Sequence, residues 1–159
     1  AVPGSRFTYA RGRLVLWSAR AGAVTGPEAL QGAAARPIAL ANPRIAPYGS
    51  AALTALERLG LADRLRPRLV YGQDVGQVFQ FVATGNAEAG FVALAQVLAA
   101  GGAGSWWLVP ERLYEPLEQQ AVLLRRGGDN PAAHAAVAFL RGEEGRRRIA
   151  AAGYGLPEP

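Results

Sequence analysis

The segment "ANPRIAPYGSAALTALERLG", Ala41–Gly60, predicts a loop that runs directly into an α-helix. Its apolar residues recur at the spacing of one buried helix face: Ala52, Leu53, Leu56 and Leu59. Its last residue is a glycine, which commonly ends a helix. The first turn contains Pro47, Tyr48 and Gly49 and no charged side chain, although the first N–H groups of a helix have no intrahelical acceptor. Because proline has no N–H, the pattern predicts free donors at the amides of Tyr48, Gly49 and Ser50.

The composition is typical of a globular protein with a packed core. The chain has 159 residues, of which 50% are hydrophobic, enough for one domain or two small lobes. All 17 basic residues are arginine, and they are scattered apart from "GRRRI" at Gly145–Ile149, so we expect no nucleic-acid partner. Cysteine is absent, which excludes disulfides and thiol chemistry. The start, Ala-Val-Pro, is not a translation start, so we expect a processed chain or a fragment, with any export signal upstream.

Short β-type runs alternate with helical patterns along most of the chain. Six runs predict strands: residues 13–17, 37–41, 68–72, 89–94, 106–110 and 120–125. A second helix is predicted from Asp74 to Thr84, with Gly85 just beyond its end. This alternation predicts an α/β fold with a largely parallel sheet.

The last third of the chain predicts two further helices. Asn130 is a typical N-cap, Pro131 suits the first helical position, and Gly142 separates the two helices. The second helix begins with two glutamates and continues with three arginines, which is the charge order that a helix dipole favours. The arginine cluster is therefore explained without a binding partner.

No group of residues predicts catalysis. The single histidine, His134, falls within a predicted helix and has no second histidine, cysteine or suitably spaced carboxylate beside it. The glycine-rich motifs that bind nucleotide phosphates are also absent. We therefore expect a protein that is not an enzyme and that has no cofactor and no directly bound metal.

The two helix starts are the candidate binding features. In "GQDVGQVFQF", Asp74 predicts an N-cap and Gln77 has the spacing of a capping box, which leaves the Val75 amide directed outward. Helix starts bind anions through their N–H groups and their dipole. An equally simple interpretation is that both are ordinary capped helices with hydrated amides, and the two starts alone do not decide between these.

Seven segments, in this order, resemble the periplasmic molybdate-binding proteins of the ModA type: "GRLVLWS", "IALANPRIAPYGSAALTALERLGL", "RLVYGQDVGQVFQFVATGNAEAGFVALAQV", "WLVP", "QQAVLL", "DNPAAHAAVAFL" and "GYGLP". The resemblance implies a type II periplasmic-binding-protein-like α/β fold, in which two lobes close on a ligand at a hinge. It implies one nearly complete lobe plus the C-terminal helices of the other. Residues 1–12 would be the tail of the first hinge crossing, residues 13–116 the second lobe, and residues 117–159 the return strand and C-terminal helices of a first lobe whose remainder we expect upstream.

The resemblance also implies a function. Members of this family bind molybdate or tungstate with uncharged donors and deliver it to the membrane permease of an ABC transporter. Tyr48 and Val75 match positions whose backbone N–H groups bind the oxyanion, so that molybdenum is bound only as molybdate. Some members add a tyrosine hydroxyl where this chain has Ala93. The implied location is periplasmic, or extracytoplasmic with a lipid anchor, and the export signal is not within these residues.

Two other functions stay open at the level of sequence. The same lobe would suit an oxyanion-sensing transcriptional regulator if a DNA-binding domain preceded it. A truncated lobe without half of the ligand donors would bind nothing. Sequence upstream of Ala1 would discriminate these alternatives, whereas no residue separates molybdate from tungstate, because the two ions have the same charge and nearly the same radius.

Overall fold

The computed structural model describes residues 1–32 and 36–157, and the chain divides into two compact units. The central unit comprises Arg13–Leu117. The terminal unit comprises Ala1–Gly12 together with the chain from Glu118 onward. The assignment of residues 1–12, 13–116 and 117–159 to the hinge and lobes of a receptor stays a prediction.

The elements confirm the predicted α/β class. The strands are β1 (Phe7–Gly12), β2 (Leu14–Ser18), β3 (Ile38–Ala41), β4 (Leu69–Gly72), β5 (Ala89–Ala93), β6 (Ser105–Leu108) and β7 (Leu117–Ala121). The helices are α1 (Pro47–Arg58), α2 (Ala62–Leu65), α3 (Val75–Ala83), α4 (Leu94–Ala99), α5 (Pro131–Arg141) and α6 (Glu143–Ala151). Strand β1 was not predicted, and β7 was predicted too late in the chain, at residues 120–125, because the apolar run of the sequence lies there. Two residues of that run, Val122 and Leu124, lie outside the strand with exposed side chains.

The central unit contains a five-stranded sheet in the order β4-β3-β5-β2-β6. Strand β3 runs parallel to β4 and β5, because the connections through α1 and α3 are helical crossovers. Strand β2 runs antiparallel to both β5 and β6. The prediction of a largely parallel sheet therefore holds for only two of the four strand pairs, and the sheet is mixed.

Both faces of this sheet are covered by helices. Alternate residues of β3 point to opposite faces, so that Ile38 and Leu40 pack in the same cluster as α1, and Ala39 and Ala41 in the same cluster as α3. The predicted stripe of α1 is confirmed, since two of its residues are buried and the other two pack half-buried against the same core: Ala52 and Leu56, then Leu53 and Leu59. The sheet and its two helices therefore hold the starts of α1 and α3 in fixed places.

The terminal unit contains the pair of strands β1 and β7 and the helices α5 and α6. The predicted N-cap of α5 is confirmed, because Asn130 Oδ1 accepts a hydrogen bond from the Ala132 N–H at 2.9 Å. His134 lies exposed on α5, and its ring donates to the carbonyl oxygen of Gly128 at 2.6 Å. The polarity of α6 also agrees with expectation, since Glu144 in the first turn pairs with Arg147 and Arg148.

Candidate anion-binding site

Helices α1 and α3 begin at the same edge of the central sheet. Each follows a loop from the carboxyl end of its strand, β3 for α1 and β4 for α3. The two strands are parallel neighbours in register, with Ala41 opposite Gly72 at their ends. The carboxyl edge of such strands is where open α/β sheets bind ligands.

The start of α1 differs in part from the prediction. The N-cap, Ala46, has an extended backbone and no side chain that can cap the helix. Its carbonyl oxygen accepts hydrogen bonds from the N–H groups of Gly49 at 3.0 Å and Ser50 at 3.1 Å. The prediction of free amides at Gly49 and Ser50 was therefore wrong, because the first turn closes on the carbonyl of its own N-cap. Of the three predicted donors, only the amide of Tyr48 is carried forward as a candidate ligand.

Gly49 allows the first turn of α1 to lie directly against the end of β3. A Cβ atom at this position would stand 2.1 Å from the carbonyl oxygen of Ala41 and 2.6 Å from its carbonyl carbon. Real Cβ atoms do not approach backbone this closely, so any other residue would push the helix away from the strand. This contact explains why a glycine follows Pro47 and Tyr48.

The start of α3 carries the predicted cap. Asp74 Oδ1 accepts a hydrogen bond from the Gln77 N–H at 2.8 Å. The return bond of the capping box is shifted by one residue, because Gln77 Oε1 accepts from the N–H of Gln73, at 2.7 Å, instead of Asp74. Within residues 1–32 and 36–157, the N–H of Val75 at the first helical position has no acceptor. It is therefore a donor available to a ligand.

Asn42 links the end of β4 to the turn before α1, and it was not predicted from the sequence. Its N–H donates to the Gly72 carbonyl oxygen at the end of β4, at 2.7 Å, and its own carbonyl accepts from Ile45 and Ala46 just before α1. Its side-chain Oδ1 accepts from the Arg44 N–H at 3.0 Å. An asparagine that bonds to the backbone two residues on is a known turn former, so "NPR" was the available signal.

Ala93 ends β5 with a buried methyl group and no hydroxyl. Its N–H donates to Gln96 Oε1 at 3.2 Å. In the described part of the chain, no three side chains of His, Cys, Asp or Glu are grouped as a metal would require. The chemistry of this edge is therefore that of backbone N–H donors at two helix starts, which suits an oxyanion.

Comparisons with known proteins identify the family. The sequence model of the bacterial extracellular solute-binding proteins matches residues 1–155. This chain belongs to that family. Among the helices that the structure describes, none is both long and apolar enough to cross a membrane.

Two curated relatives of this chain carry the name molybdate-binding protein ModA. The one from Azotobacter vinelandii is 52% identical over 158 residues, which are 98% of this chain and 63% of the relative. The one from Rhodobacter capsulatus is 46% identical over 154 residues, which are 97% of this chain and 61% of the relative. The chain thus spans just over three fifths of the length of these relatives.

The solved structure of the Azotobacter vinelandii periplasmic molybdate-binding protein superposes with a TM-score of 0.88 at 45% identity. The match covers 99% of this chain and 71% of that one. It confirms the fold class that the resemblance implied. The relatives are named as binding proteins, not enzymes, and they give no support to a transcriptional regulator or an inactive lobe.

Proposed function

We propose that this chain belongs to an extracytoplasmic receptor that binds molybdate or tungstate and delivers it to the membrane permease of an ABC importer. The names of both ModA relatives and of the solved Azotobacter structure support molybdate as the ligand. Tungstate joins it because an ion of the same charge and nearly the same radius meets the same donors. The receptor would lie in the periplasm, or be held outside the cytoplasm by a lipid anchor.

The proposed ligand groups are the backbone N–H groups of Tyr48 and Val75. The observation that carries this proposal is that α1 and α3 begin at the carboxyl ends of two parallel strands in register, Ala41 opposite Gly72. Hydrogen bonds to a charged group are worth roughly 1.5–3 kcal/mol each. Rigid amides can therefore bind a dianion without a cationic side chain, and their fixed spacing disfavours a smaller ion.

Calorimetric titration of the full gene product that carries these residues tests the proposed function. Molybdate and tungstate should bind far more tightly than sulfate or phosphate, because the donors are set for a larger tetrahedron. Equal affinity for sulfate and molybdate would contradict the assignment.

Replacing Val75 with proline tests the second ligand group. Proline lacks the N–H but suits the first position of a helix. The preceding residue, Asp74, is already extended, at φ −144° and ψ 175°, as a residue before proline prefers. Val75→Pro should therefore leave the fold intact and weaken molybdate binding by about tenfold or more, the worth of one charge-assisted bond.

Val75→Ala is the matched control, because it removes the half-buried side chain and keeps the N–H. Calorimetry should show nearly unchanged affinity for Val75→Ala. An equal loss in both variants would mean that the side chain, not the amide, matters. The same substitution at Tyr48 is less clean, since a proline there follows Pro47 and disturbs its helical conformation.

A further inference from the structure

Asn42 makes four hydrogen bonds at the sheet edge where both proposed anion-binding helices begin. Its backbone N–H reaches across to Gly72, the last residue of β4, at 2.7 Å. Its carbonyl oxygen accepts from the N–H groups of Ile45 at 3.1 Å and Ala46 at 3.0 Å. Its side-chain oxygen accepts from the N–H of Arg44 at 3.0 Å. One half-buried residue therefore holds the turn that leads into α1 and joins it to the end of β4.

The backbone on both sides of Asn42, at Gly72 and at the start of α1, is closely packed. A Cβ atom on Gly72 would lie 3.1 Å from Val78 Cγ2 and 3.2 Å from the Val78 N, so the end of β4 lies against the first turn of α3. On the other side, Ala46 is the N-cap whose carbonyl closes the first turn of α1. A Cβ atom on Gly49 would lie only 3.0 Å from the carbonyl carbon of Asn42 itself. A shift of the Asn42 turn therefore moves the start of α1 relative to the start of α3.

From these contacts we infer that Asn42 is a positioning residue that sets the spacing between the Tyr48 and Val75 amides and so determines which oxyanion fits. The inference rests on the proposed function. Fixed donors favour the anion whose oxygens match their spacing, and donors that can move adapt to a smaller ion. A substitution at Asn42 can remove only the side-chain hydrogen bond, because the three other hydrogen bonds of this residue are made by its backbone.

The test compares Asn42→Ala with Asn130→Ala in the full gene product. Both substitutions remove one asparagine side-chain acceptor that bonds to a backbone N–H two residues on, Arg44 in one case and Ala132 in the other. Asn130 is the N-cap of α5 and belongs to the terminal unit, whereas the proposed ligand groups belong to the central unit. Each variant is titrated with molybdate and with sulfate by calorimetry, and its thermal unfolding is recorded.

Asn42→Ala should bind molybdate about 3- to 10-fold more weakly, the range expected for one hydrogen bond, and bind sulfate almost as before. The ratio of the two affinities should thus fall, while Asn130→Ala keeps the ratio of the unsubstituted protein. Asn42→Ser, whose hydroxyl can accept from the Arg44 N–H, should restore part of the ratio.

If the unsubstituted protein binds molybdate and Asn42→Ala has the same ratio of molybdate to sulfate affinity, this inference alone is overturned. Failure of the unsubstituted protein to bind molybdate would overturn the proposed function and this inference with it. If Asn42→Ala unfolds at the assay temperature, the ratio measured for Asn42→Ser decides, and an unchanged ratio there overturns the inference.

Discussion

At the scale of single residues, Asp74 is an unusual neighbour for an anion. Its carboxylate caps α3 and lies one residue before the Val75 N–H, so it repels the charge that this amide is proposed to bind. In water, a unit charge about 6 Å away weakens binding by about a factor of three for each unit of ligand charge. Asp74→Asn, which keeps a good N-cap, should therefore tighten molybdate binding about tenfold.

The charge dependence separates this effect from a change of fold. Perrhenate is a tetrahedral monoanion of similar size, and the same calculation gives a gain of about threefold for it. Titration of both ions with the unsubstituted protein and with Asp74→Asn measures the two gains. Equal gains for dianion and monoanion would contradict an electrostatic role for Asp74.

The second prediction at the residue scale concerns the effect of Gly49 on stability. Alanine is normally the better helix residue by about 1 kcal/mol, yet its Cβ here would overlap the Ala41 carbonyl. Because overpacking costs about 1–3 kcal/mol, Gly49→Ala should lower the free energy of urea-induced unfolding by about 2 kcal/mol. Ser50→Ala, at an exposed position one residue on, is the control and should leave stability unchanged or slightly higher. A Gly49→Ala protein as stable as this control would show that the first turn of α1 is not pressed against β3.

At the scale of elements, two arginines of α6 form ion pairs with a glutamate in the first turn of the same helix. Glu144 pairs with Arg147 and Arg148, and the two arginine side chains are largely exposed whereas Glu144 is half-buried. Exposed pairs of this kind contribute about 0.3–0.5 kcal/mol each, so Glu144→Gln should lower stability by less than about 1 kcal/mol. Thermal unfolding in low salt and in ~1 M NaCl measures this, and high salt should abolish the difference.

Glu143→Gln is the matched control for this helix. It also removes an acidic charge from the first turn, but within the described residues Glu143 has no ion pair. Its effect on stability should be smaller than that of Glu144→Gln, by the worth of the two pairs. A larger effect at Glu143 would assign the stabilisation to the helix dipole and not to the arginines.

The elements also show what sequence patterns can and cannot predict. Helix starts were predicted well, because Asp74 and Asn130 leave local signals that depend on their own side chains. The bounds of β7 were not, since its pairing with β1 is decided by residues more than a hundred positions away, and β1 itself has no clear alternation. Local chemistry is readable in sequence, whereas strand pairing is a property of the folded sheet.

At the scale of the whole molecule, the direction of β2 and the role of Asn42 both lay beyond sequence analysis. Nothing in the five residues of β2 tells whether they run parallel or antiparallel to β5, because a fully buried strand shows the same apolar run in either direction.

The proposed ligand groups were named from a resemblance, and the geometry adds what the resemblance lacked. It removes Gly49 and Ser50 as free donors and adds the hydrogen bonds of Asn42 across the strand ends.

The interior position of β2 in its sheet, between β5 and β6, has a consequence for how the chain acquires its fold. All five residues of "LVLWS" are buried between β5 and β6, whose paired residues include Val92 and Leu108. During synthesis, this segment is therefore made long before either of its neighbouring strands exists. Pairings between segments so distant in sequence form slowly. Until Ala93 has been added, this uncharged, β-prone and tryptophan-containing segment has neither of its partner strands, which exposes the newly made chain to aggregation.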